Sequence, residues 1–267
     1  MQKVSIADIS PEPTVHPDLS GGVVRNLINR NTVGSQRGML GVTDFAPGGG
    51  HKLHRHPVSE QISFLLRGSA LHLTENGPVK FETGDVIYVP PNEWHGFRNA
   101  GTEPATLVSL YSRAGSPSEP GYESYRGEAR SDREPTVKKV SLSTLRGDAA
   151  LDESAGFFGL GVYWLATRET VGAEDAVLGA STFEPGGVHE HHRHPNGDEI
   201  LFILEGGGEH LTPDGAVPLS AGEIAYIPAN EYHGFRNKPG VLTRTLFGYF
   251  GVGSLNEAGY EVRPTAK

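Results

Sequence analysis

The chain contains a long internal repeat, which restricts its possible folds more than any other feature of the sequence. The segment HRHPVSEQISFLLRG begins at His54 and returns, 138 positions later, as HRHPNGDEILFILEG from His192. The segment PPNEWHGFRN begins at Pro90 and returns at the same offset as PANEYHGFRN from Pro228. Solenoid units are much shorter, at about 20 to 50 residues, so this repeat indicates duplication of a whole domain.

The repeat predicts two domains joined by a charged linker. We expect the first domain at residues 1–125, the linker at 126–137 and the second domain at 138–267. The linker sequence RGEARSDREPTV has little apolar surface to bury, which is typical of an interdomain connection. Each domain is close to the usual size of an independently folded unit.

Short apolar segments between turn residues indicate a β-rich fold. Examples are QISFLLRG, GDVIYVPP, EILFILEGG and GEIAYIPA, in a chain with 36 glycines and 19 prolines. Long helical periodicity is missing. Many short strands with frequent turn signals favour a β-sandwich or a β-barrel.

Composition narrows the range of partners. The net charge of −9 argues against nucleic-acid binding, which needs a basic face. No apolar run is long enough to cross a membrane, and the first residues do not resemble a signal peptide. The absence of cysteine excludes disulfides and thiolate ligands. We therefore expect a cytoplasmic protein with a small-molecule substrate and neither nucleic-acid nor membrane partners. A homodimer is compatible with the sequence, although no residue indicates one.

The most informative histidines form a His-x-His pair in each repeat. Alternate side chains of a strand point to the same face, so His54 and His56 present two imidazoles on one side. A later histidine and a glutamine or glutamate complete each set. The predicted metal ligands are His54, His56, Gln61 and His95 in the first repeat and His192, His194, Glu199 and His233 in the second. Three imidazoles with one oxygen ligand suit Fe, Mn, Ni, Cu or Zn.

The other histidines of the repeats are weaker candidates. A single histidine on a strand is usually an ordinary polar residue, and this applies to His72 and His210. His51 and His189 have the wrong strand parity to face the metal unless the strand bulges. We interpret them as residues of the rim or as supports behind the ligands.

The spacing of these residues resembles that of the cupins, specifically the two-domain bicupins. In the first cupin motif a glutamate follows His-x-His and a glycine follows the glutamate, as His194, Glu199 and Gly206 do here. The second motif runs from glycine through proline and histidine to asparagine. It is matched by Gly84, Pro90, His95 and Asn99 and again by Gly222, Pro228, His233 and Asn237. The resemblance covers most of the chain.

This resemblance implies an all-β fold of two tandem antiparallel jelly-roll barrels, each with a divalent metal inside. Fe(II) is the first choice of metal, with Mn, Ni, Cu and Zn as alternatives. One departure is Gln61, which stands where the motif has glutamate. Glu60 is adjacent, but the repeat pairs Glu60 with Asp198 and Gln61 with Glu199. Gln61 is therefore the expected ligand, and some bicupins resemble this chain in using glutamine at the metal.

The two oxygen ligands predict different chemistry in the two domains. Gln61 is neutral and cannot act as a general base, whereas Glu199 brings a negative charge and can take a proton. We expect Glu199 to be catalytic and the second domain to hold the tighter metal and the main activity. The alternative is that the more positive first site acidifies a bound substrate better, while the second site is structural.

Strand parity also predicts which side chains line the pockets. Residues two and four positions beyond the oxygen ligand share its face, and a phenylalanine shares the face of the last histidine. The predicted pocket residues are Ser63, Leu65 and Phe97 in the first domain and Leu201, Ile203 and Phe235 in the second. Both pockets are expected to be mostly apolar.

Three functions are compatible with the sequence. The first is a metal-dependent dioxygenase of an aromatic or enol-bearing small molecule, which resembles the quercetin-dioxygenase branch of the cupins. The second is an isomerase or cyclase without oxygen chemistry, similar to the bicupin isomerase of bacilysin synthesis and to the cupin polyketide cyclases, and Gln61 slightly favours it. The third is a non-catalytic binding or storage protein. We rank dioxygenation first, and storage last because the seed-storage cupins have generally lost the metal histidines.

Overall fold

The computed structural model of the chain describes residues 1–13, 17–127 and 137–264. It divides into two compact units, each with its own antiparallel sheet. We call Ile9–Ser143 the first barrel, and Met1–Asp8 together with Thr144–Lys267 the second barrel. The expected all-β fold of two tandem jelly rolls is confirmed. Most of the predicted linker, residues 128–136, lies outside the described residues.

Short strands and a few single-turn helices make up both barrels. The strands of the first barrel are β2 (Glu12–Pro13), β3 (Leu19–Ile28), β4 (Gly38–Arg55), β5 (Gln61–Arg67), β6 (Ser69–Thr74), β7 (Gly77–Glu82), β8 (Asp85–Val89), β9 (His95–Asn99), β10 (Ala105–Ser112), β11 (Glu123–Ser124) and β12 (Lys138–Ser141). Helix α1 (Arg30–Val33) follows β3, and a 3-10 turn covers Leu142–Thr144.

The second barrel repeats this series. Its strands are β1 (Gln2–Ser5), β13 (Phe157–Ala166), β14 (Ala176–Arg193), β15 (Asp198–Glu205), β16 (Gly207–Thr212), β17 (Gly215–Ser220), β18 (Glu223–Ile227), β19 (His233–Asn237), β20 (Thr243–Phe250) and β21 (Glu261–Val262). Its helices are α2 (Arg168–Val171), α3 (Leu255–Ala258) and the 3-10 turns Ile6–Asp8 and Glu153–Ala155. Within the described ranges, no helix is long and apolar enough to cross a membrane.

Strand order explains how distant parts of the sequence meet. The first sheet runs β12-β8-β5-β10-β4-β9-β6-β7, and the second runs β1-β18-β15-β20-β14-β19-β16-β17. The His-x-His pair lies at or just beyond the end of the long strand β4 or β14, which pairs with β9 or β19. This register places His54 opposite His95 and His192 opposite His233.

The outermost strand of each sheet comes from the start of a repeat. Strand β1 pairs with β18, with Val4 opposite Ile224, so residues 1–8 belong to the second barrel. Strand β12 pairs with β8, with Val140 opposite Val86, so the first residues of the second repeat belong to the first barrel. The compact units therefore differ from the sequence repeats by an exchange of these edge strands. Each one covers an edge that would otherwise expose unpaired backbone groups.

Two motif glycines make the tight connections after β5 and β15. Gly68 has φ +98 and Gly206 has φ +78, a conformation that residues with a Cβ rarely adopt. A Cβ at Gly68 would lie 2.9 Å from the Cα of Ala105 on the neighbouring chain segment. The motif glycine is therefore required by the packing of the barrel rather than by its chemistry.

Candidate metal centres

The second barrel gathers four buried side chains of metal-ligand type at one point. His192, His194, Glu199 and His233 offer ligand atoms that all lie within 4.8 Å of one another. Ligands on opposite sides of an ion with bonds of about 2.1 Å are about 4.2 Å apart, so this spacing fits a single metal. Oε2 of Glu199 lies 2.7 Å from Nε2 of His233 and 3.2 Å from Nε2 of His194.

Backbone carbonyls orient the three imidazoles of this group. Each Nδ1 donates to a carbonyl oxygen, and the acceptors for His192, His194 and His233 are Glu190, Gly259 and Glu231 in that order. This leaves the lone pair on each Nε2, facing the shared centre. Nε2 of His192 has no hydrogen-bond partner among the described residues, and Nε2 of His233 has only Oε2 of Glu199 beside it. Buried acceptors that converge without donors are costly, and a metal ion would satisfy them together.

The first barrel has the same arrangement with glutamine in place of glutamate. His54, His56 and His95 form its buried imidazole group, and their Nδ1 atoms face the carbonyl oxygens of Lys52, Gly121 and Glu93. Oε1 of Gln61 lies 2.8 Å from Nε2 of His95, while its amide nitrogen donates to Oγ of Ser63 at 2.9 Å. The amide thus presents its oxygen, which is its metal-binding atom, to the imidazoles.

Glu60, the alternative ligand in the first barrel, lies outside this imidazole group. Its carboxylate accepts a hydrogen bond from the hydroxyl of Tyr88 at 2.8 Å. The equivalent Asp198 accepts one from Tyr226 at 2.9 Å. Both carboxylates are therefore used in hydrogen bonds between strands of the barrel. Gln61 remains the oxygen ligand that the repeat predicts.

The turn before β9 ties the last histidine to the His-x-His segment. Asn92 adopts a left-handed conformation with φ 67, which asparagine tolerates better than most residues. Its N–H donates to the carbonyl of His56 at 2.9 Å, and the next residue, Glu93, orients His95. In the second barrel Asn230, with φ 72, donates in the same way to His194. The segments PNEWH and ANEYH therefore set the distance between the first two ligands and the third.

The protonation states suit metal binding. Burial holds the pKa of His95 and of His192 well below the usual value, and neighbouring imidazoles add to the effect. Burial raises the pKa of Glu199, but His233 and His194 outweigh this and hold it well below its usual value. Burial alone would lower the pKa of His233, yet Glu199 raises it, so a proton competes with a metal for this pair.

A bulge brings His51 and His189 onto the face of the ligands. The register between β4 and β9 shifts between His51 and His54, and the two rings stack with centroids 3.6 Å apart. Nε2 of His51 lies 3.1 Å from the hydroxyl of Tyr122, and Nε2 of His189 lies 3.2 Å from that of Tyr260. Sequence reasoning missed these tyrosines, although the repeat offset aligns them in the segments PGYE and AGYE.

The cavities beside the two metal centres differ about tenfold in volume. The cavity of the first barrel has a volume of about 420 Å³, and that of the second about 40 Å³. Small-molecule sites usually have volumes of about 300 to 1,000 Å³, whereas the smaller cavity has room for only a few waters. Of the histidines outside the ligand sets, His72 lines the first cavity and His210 the second.

Four of the six predicted pocket residues line these cavities. They are Ser63 and Phe97 in the first barrel and Leu201 and Phe235 in the second. Leu65 and Ile203 are instead fully buried in the apolar cores. They share the predicted strand face, but they lie two residues farther along β5 and β15, where core side chains fill the interior.

Both halves of the chain match one protein family. Residues 41–111 and 179–243 match the family described as Cupin domain, and these segments contain both complete ligand sets. The chain belongs to the cupin family. As a cupin with two barrels, it is a bicupin.

Two sequence relatives from Streptomyces and one solved structure illustrate what this chain is similar to. The tetracenomycin polyketide synthase protein TcmJ of Streptomyces glaucescens is 28% identical over 106 residues, which are 40% of this chain and 68% of that protein. The protein SchB of Streptomyces halstedii is 34% identical over 88 residues, 33% of this chain and 64% of that protein. A structure of Bacillus subtilis oxalate decarboxylase, studied for its Mn(II) centres, aligns with a TM-score of 0.73 over 94% of this chain and 77% of its own. At 18% identity this likeness shows the shared fold alone.

Proposed function

We propose that this bicupin is a metal-dependent enzyme whose substrate, an enolisable and oxygen-rich small molecule, binds in the cavity of the first barrel. The observation that carries the proposal is the cavity of about 420 Å³ beside His54, His56, Gln61 and His95. Four protein ligands leave coordination positions open for a substrate or for water. A divalent metal held there would act as a Lewis acid on a substrate oxygen.

Proton transfer is the reaction class that the first site supports best. Gln61 adds no negative charge, so a bound cation keeps more of its power to acidify an enol or a phenol. His72 lines the same cavity, and its Nε2 has no partner among the described residues. Burial lowers the pKa of His72 to about 4, so the imidazole is unprotonated at neutral pH and can accept a proton. Together these features support isomerisation or cyclisation through an enolate.

The names of the sequence relatives support the same substrate class. Besides TcmJ, the polyketide synthase CurC of Streptomyces cyaneus is 33% identical over 91 residues. Polyketide-type molecules carry several carbonyl, enol or phenol groups, and a cavity of this size has room for one or two fused rings. We therefore place an isomerase or cyclase reaction ahead of the dioxygenation that the sequence alone ranked first.

Dioxygenation is the second candidate, favoured by the apolar part of the same cavity. Phe45, Phe97 and Leu107 form that part, and such a surface admits dioxygen without binding it strongly. Fe(II) and Mn(II) are both consistent with the ligand sets, and Mn(II) is named for the oxalate decarboxylase of similar fold. We propose that Glu199 is a ligand of a second metal in the second barrel. The cavity there is too small for a substrate of this size.

The test follows turnover and oxygen together. The protein is purified without added metal, its metal content is determined, and it is loaded with Mn(II), Fe(II) or Zn(II). Each form is then incubated with flavonols and with polyhydroxylated naphthalenes while dissolved oxygen is recorded, and the products are separated by chromatography before their masses are determined, so that an isomer of unchanged mass is also detected. We expect metal-dependent conversion without oxygen uptake. Oxygen uptake with both oxygen atoms incorporated into the products, whose net mass depends on whether carbon monoxide is lost, would favour dioxygenation, and no conversion with any metal would contradict the proposal.

A further inference from the structure

Three pairs of equivalent residues contribute to the difference in volume between the two cavities. Three residues that line the first cavity are small and polar, whereas their counterparts 138 positions later are large and apolar. The pairs are Asn26 and Trp164, Ser63 and Leu201, and Ser109 and Phe247. The flanking positions carry similar residues, such as Phe45 and Phe183 or Tyr111 and Tyr249.

In the second barrel the three large side chains fill the space beside the metal centre, and we call Trp164, Leu201 and Phe247 together the plug. The rings of Trp164 and Phe247 pack edge to face, with centroids 5.4 Å apart. The ring of Phe247 lies over Gly179, where any Cβ would collide with it. Leu201 and Phe247 are each only 7% exposed and belong to the apolar core. Rings packed in this way hold their positions, so the plug keeps the second centre closed.

In the first barrel the same positions form a polar wall beside the metal centre. Asn26 and Ser109 both pair with Gly41, one from each neighbouring strand, and Ser109 also lies opposite Ser63. A Cβ at Gly41 would have no neighbour nearer than 3.5 Å, so the space that Phe247 fills in the second barrel is open here. The wall is thus continuous across β3, β4, β10 and β5.

A hydrogen bond connects this wall to the ligand set. Oγ of Ser63 accepts from the amide of Gln61 at 2.9 Å, so its own hydrogen points away from that amide. Ser109 and Tyr111 both line the cavity from β10, and the ring of Tyr111 packs against His56 with centroids 5.2 Å apart. A molecule with one oxygen at the metal centre therefore meets further hydroxyl groups along the wall.

We propose that Asn26, Ser63 and Ser109 determine substrate specificity by binding oxygen atoms that lie away from the metal centre. The inference rests on the function proposed above and adds the chemical class of substrate: a flat molecule with several hydroxyl or carbonyl groups. Such a ligand pairs with the wall, whereas an apolar or fully O-methylated one leaves buried hydroxyls without partners, which weakens its binding. The plug at the same three positions excludes this substrate from the second centre.

The first experiment tests recognition by the wall. Binding of a polyhydroxylated flavonol and of its fully O-methylated form to zinc-loaded protein is measured by isothermal titration calorimetry. Ser63→Ala with Ser109→Ala is expected to weaken flavonol binding at least about tenfold when the affinity is measured on protein shown to be fully zinc-loaded, because Ser63 also orients Gln61. Ser69→Ala is the matched control, because the Ser69 hydroxyl donates to Glu82 on the exposed side of the same barrel and affinity should not change.

The second experiment exchanges wall and plug. Ser63→Leu with Ser109→Phe should abolish flavonol binding in the first barrel of protein whose zinc content is confirmed in the same sample. Phe247→Ser with Leu201→Ser, in a chain that carries His54→Ala and His56→Ala, should create binding in the second barrel. Phe247→Ser alone is examined in parallel, because the double change removes more of the core, and thermal unfolding shows whether each variant folds.

The outcomes separate this inference from the proposed function. In one outcome, the unaltered protein binds and converts the flavonol while the double alanine variant binds it equally well. That result would contradict the proposed role of the wall residues and leave the proposed function intact. Equal binding of the hydroxylated and the O-methylated flavonol by the unaltered protein would also contradict the proposed role of the wall residues. If the unaltered protein neither binds nor converts hydroxylated molecules, the proposed function fails, and the inference built on it fails too.

Discussion

Gln61 and Glu199 occupy equivalent positions and differ by one charge at the centre of a buried ligand set. The motif spacing and the repeat offset were enough to predict both residues as ligands, because each lies five positions after the second histidine of its pair, at the start of the next strand. Parity left the positions of His51 and His189 dependent on a strand bulge, and the structure has a register shift at both places. A bulge depends on local backbone geometry, which a sequence pattern of period two does not contain.

Gln61→Glu is predicted to tighten metal binding in the first barrel. The added carboxylate brings a negative charge to a cation in a buried site, so affinity should rise at least about tenfold. Chelator competition measures this in a chain that also carries His192→Ala and His194→Ala, so that only the first centre contributes. The reciprocal variant Glu199→Gln, with His54→Ala and His56→Ala, should lose affinity. Equal affinities in both pairs would show that the charge difference is unimportant.

At the scale of elements, the sequence predicted the β-strands and the repeat, but it did not predict which sheet each edge strand joins. The domain limits 1–125 and 138–267 follow the repeat, whereas β1 and β12 each lie at the edge of the other sheet. The offset between the two KVS segments, at residues 3–5 and 139–141, is 136 rather than 138. This local change signals a different alignment at the start of each repeat, but it does not indicate which sheet each strand joins.

Proline substitutions test this pairing. Val4→Pro removes a backbone N–H from β1 and should weaken its ladder with β18. Hydrogen exchange followed by mass spectrometry should then show faster exchange in Glu223–Ile227 and unchanged exchange in Asp85–Val89. Val140→Pro in β12 is the matched variant and should give the opposite pattern. If Val4→Pro accelerated exchange in Asp85–Val89 instead, the strand assignment would be incorrect.

At the scale of the whole molecule, both repeats contain a ligand set, but among the described residues the cavity beside the first set is about ten times larger than the cavity beside the second. The ligand sets were predictable because each consists of a few residues at fixed spacing. The cavity was not, because its volume depends on side chains from several strands that meet only in the fold. Asn26 and Trp164 lie outside the motifs, and only the packing shows that their difference in size opens one barrel and closes the other.

Stability of the metal-free protein should fall as the pH is lowered from 6.5 towards 4. Burial lowers the pKa of His72 to about 4 and that of His210 to about 3, from 6.5 for an ordinary histidine. In this window the unfolded chain binds protons that the folded chain does not, so acid favours unfolding. Each such histidine contributes up to about 1.4 kcal/mol per pH unit.

Urea unfolding at pH 7 and pH 5 measures this slope. Other buried histidines, such as His95 and His192, add to the slope, and His72→Gln removes one contributor and should make the dependence shallower. A variant with the same loss of stability between the two pH values as the unaltered protein would show that His72 titrates normally in the folded state.

Separating the two centres by mutation tests the central claim most directly, namely that both barrels bind metal and that the first one carries out the reaction. Metal content and turnover of a hydroxylated aromatic probe are measured for His54→Ala with His56→Ala and for His192→Ala with His194→Ala. Each pair is predicted to lose the metal of its own barrel, and only the first pair is predicted to abolish turnover. Turnover that survived the first pair and disappeared with the second would contradict this account and return the catalytic role to Glu199.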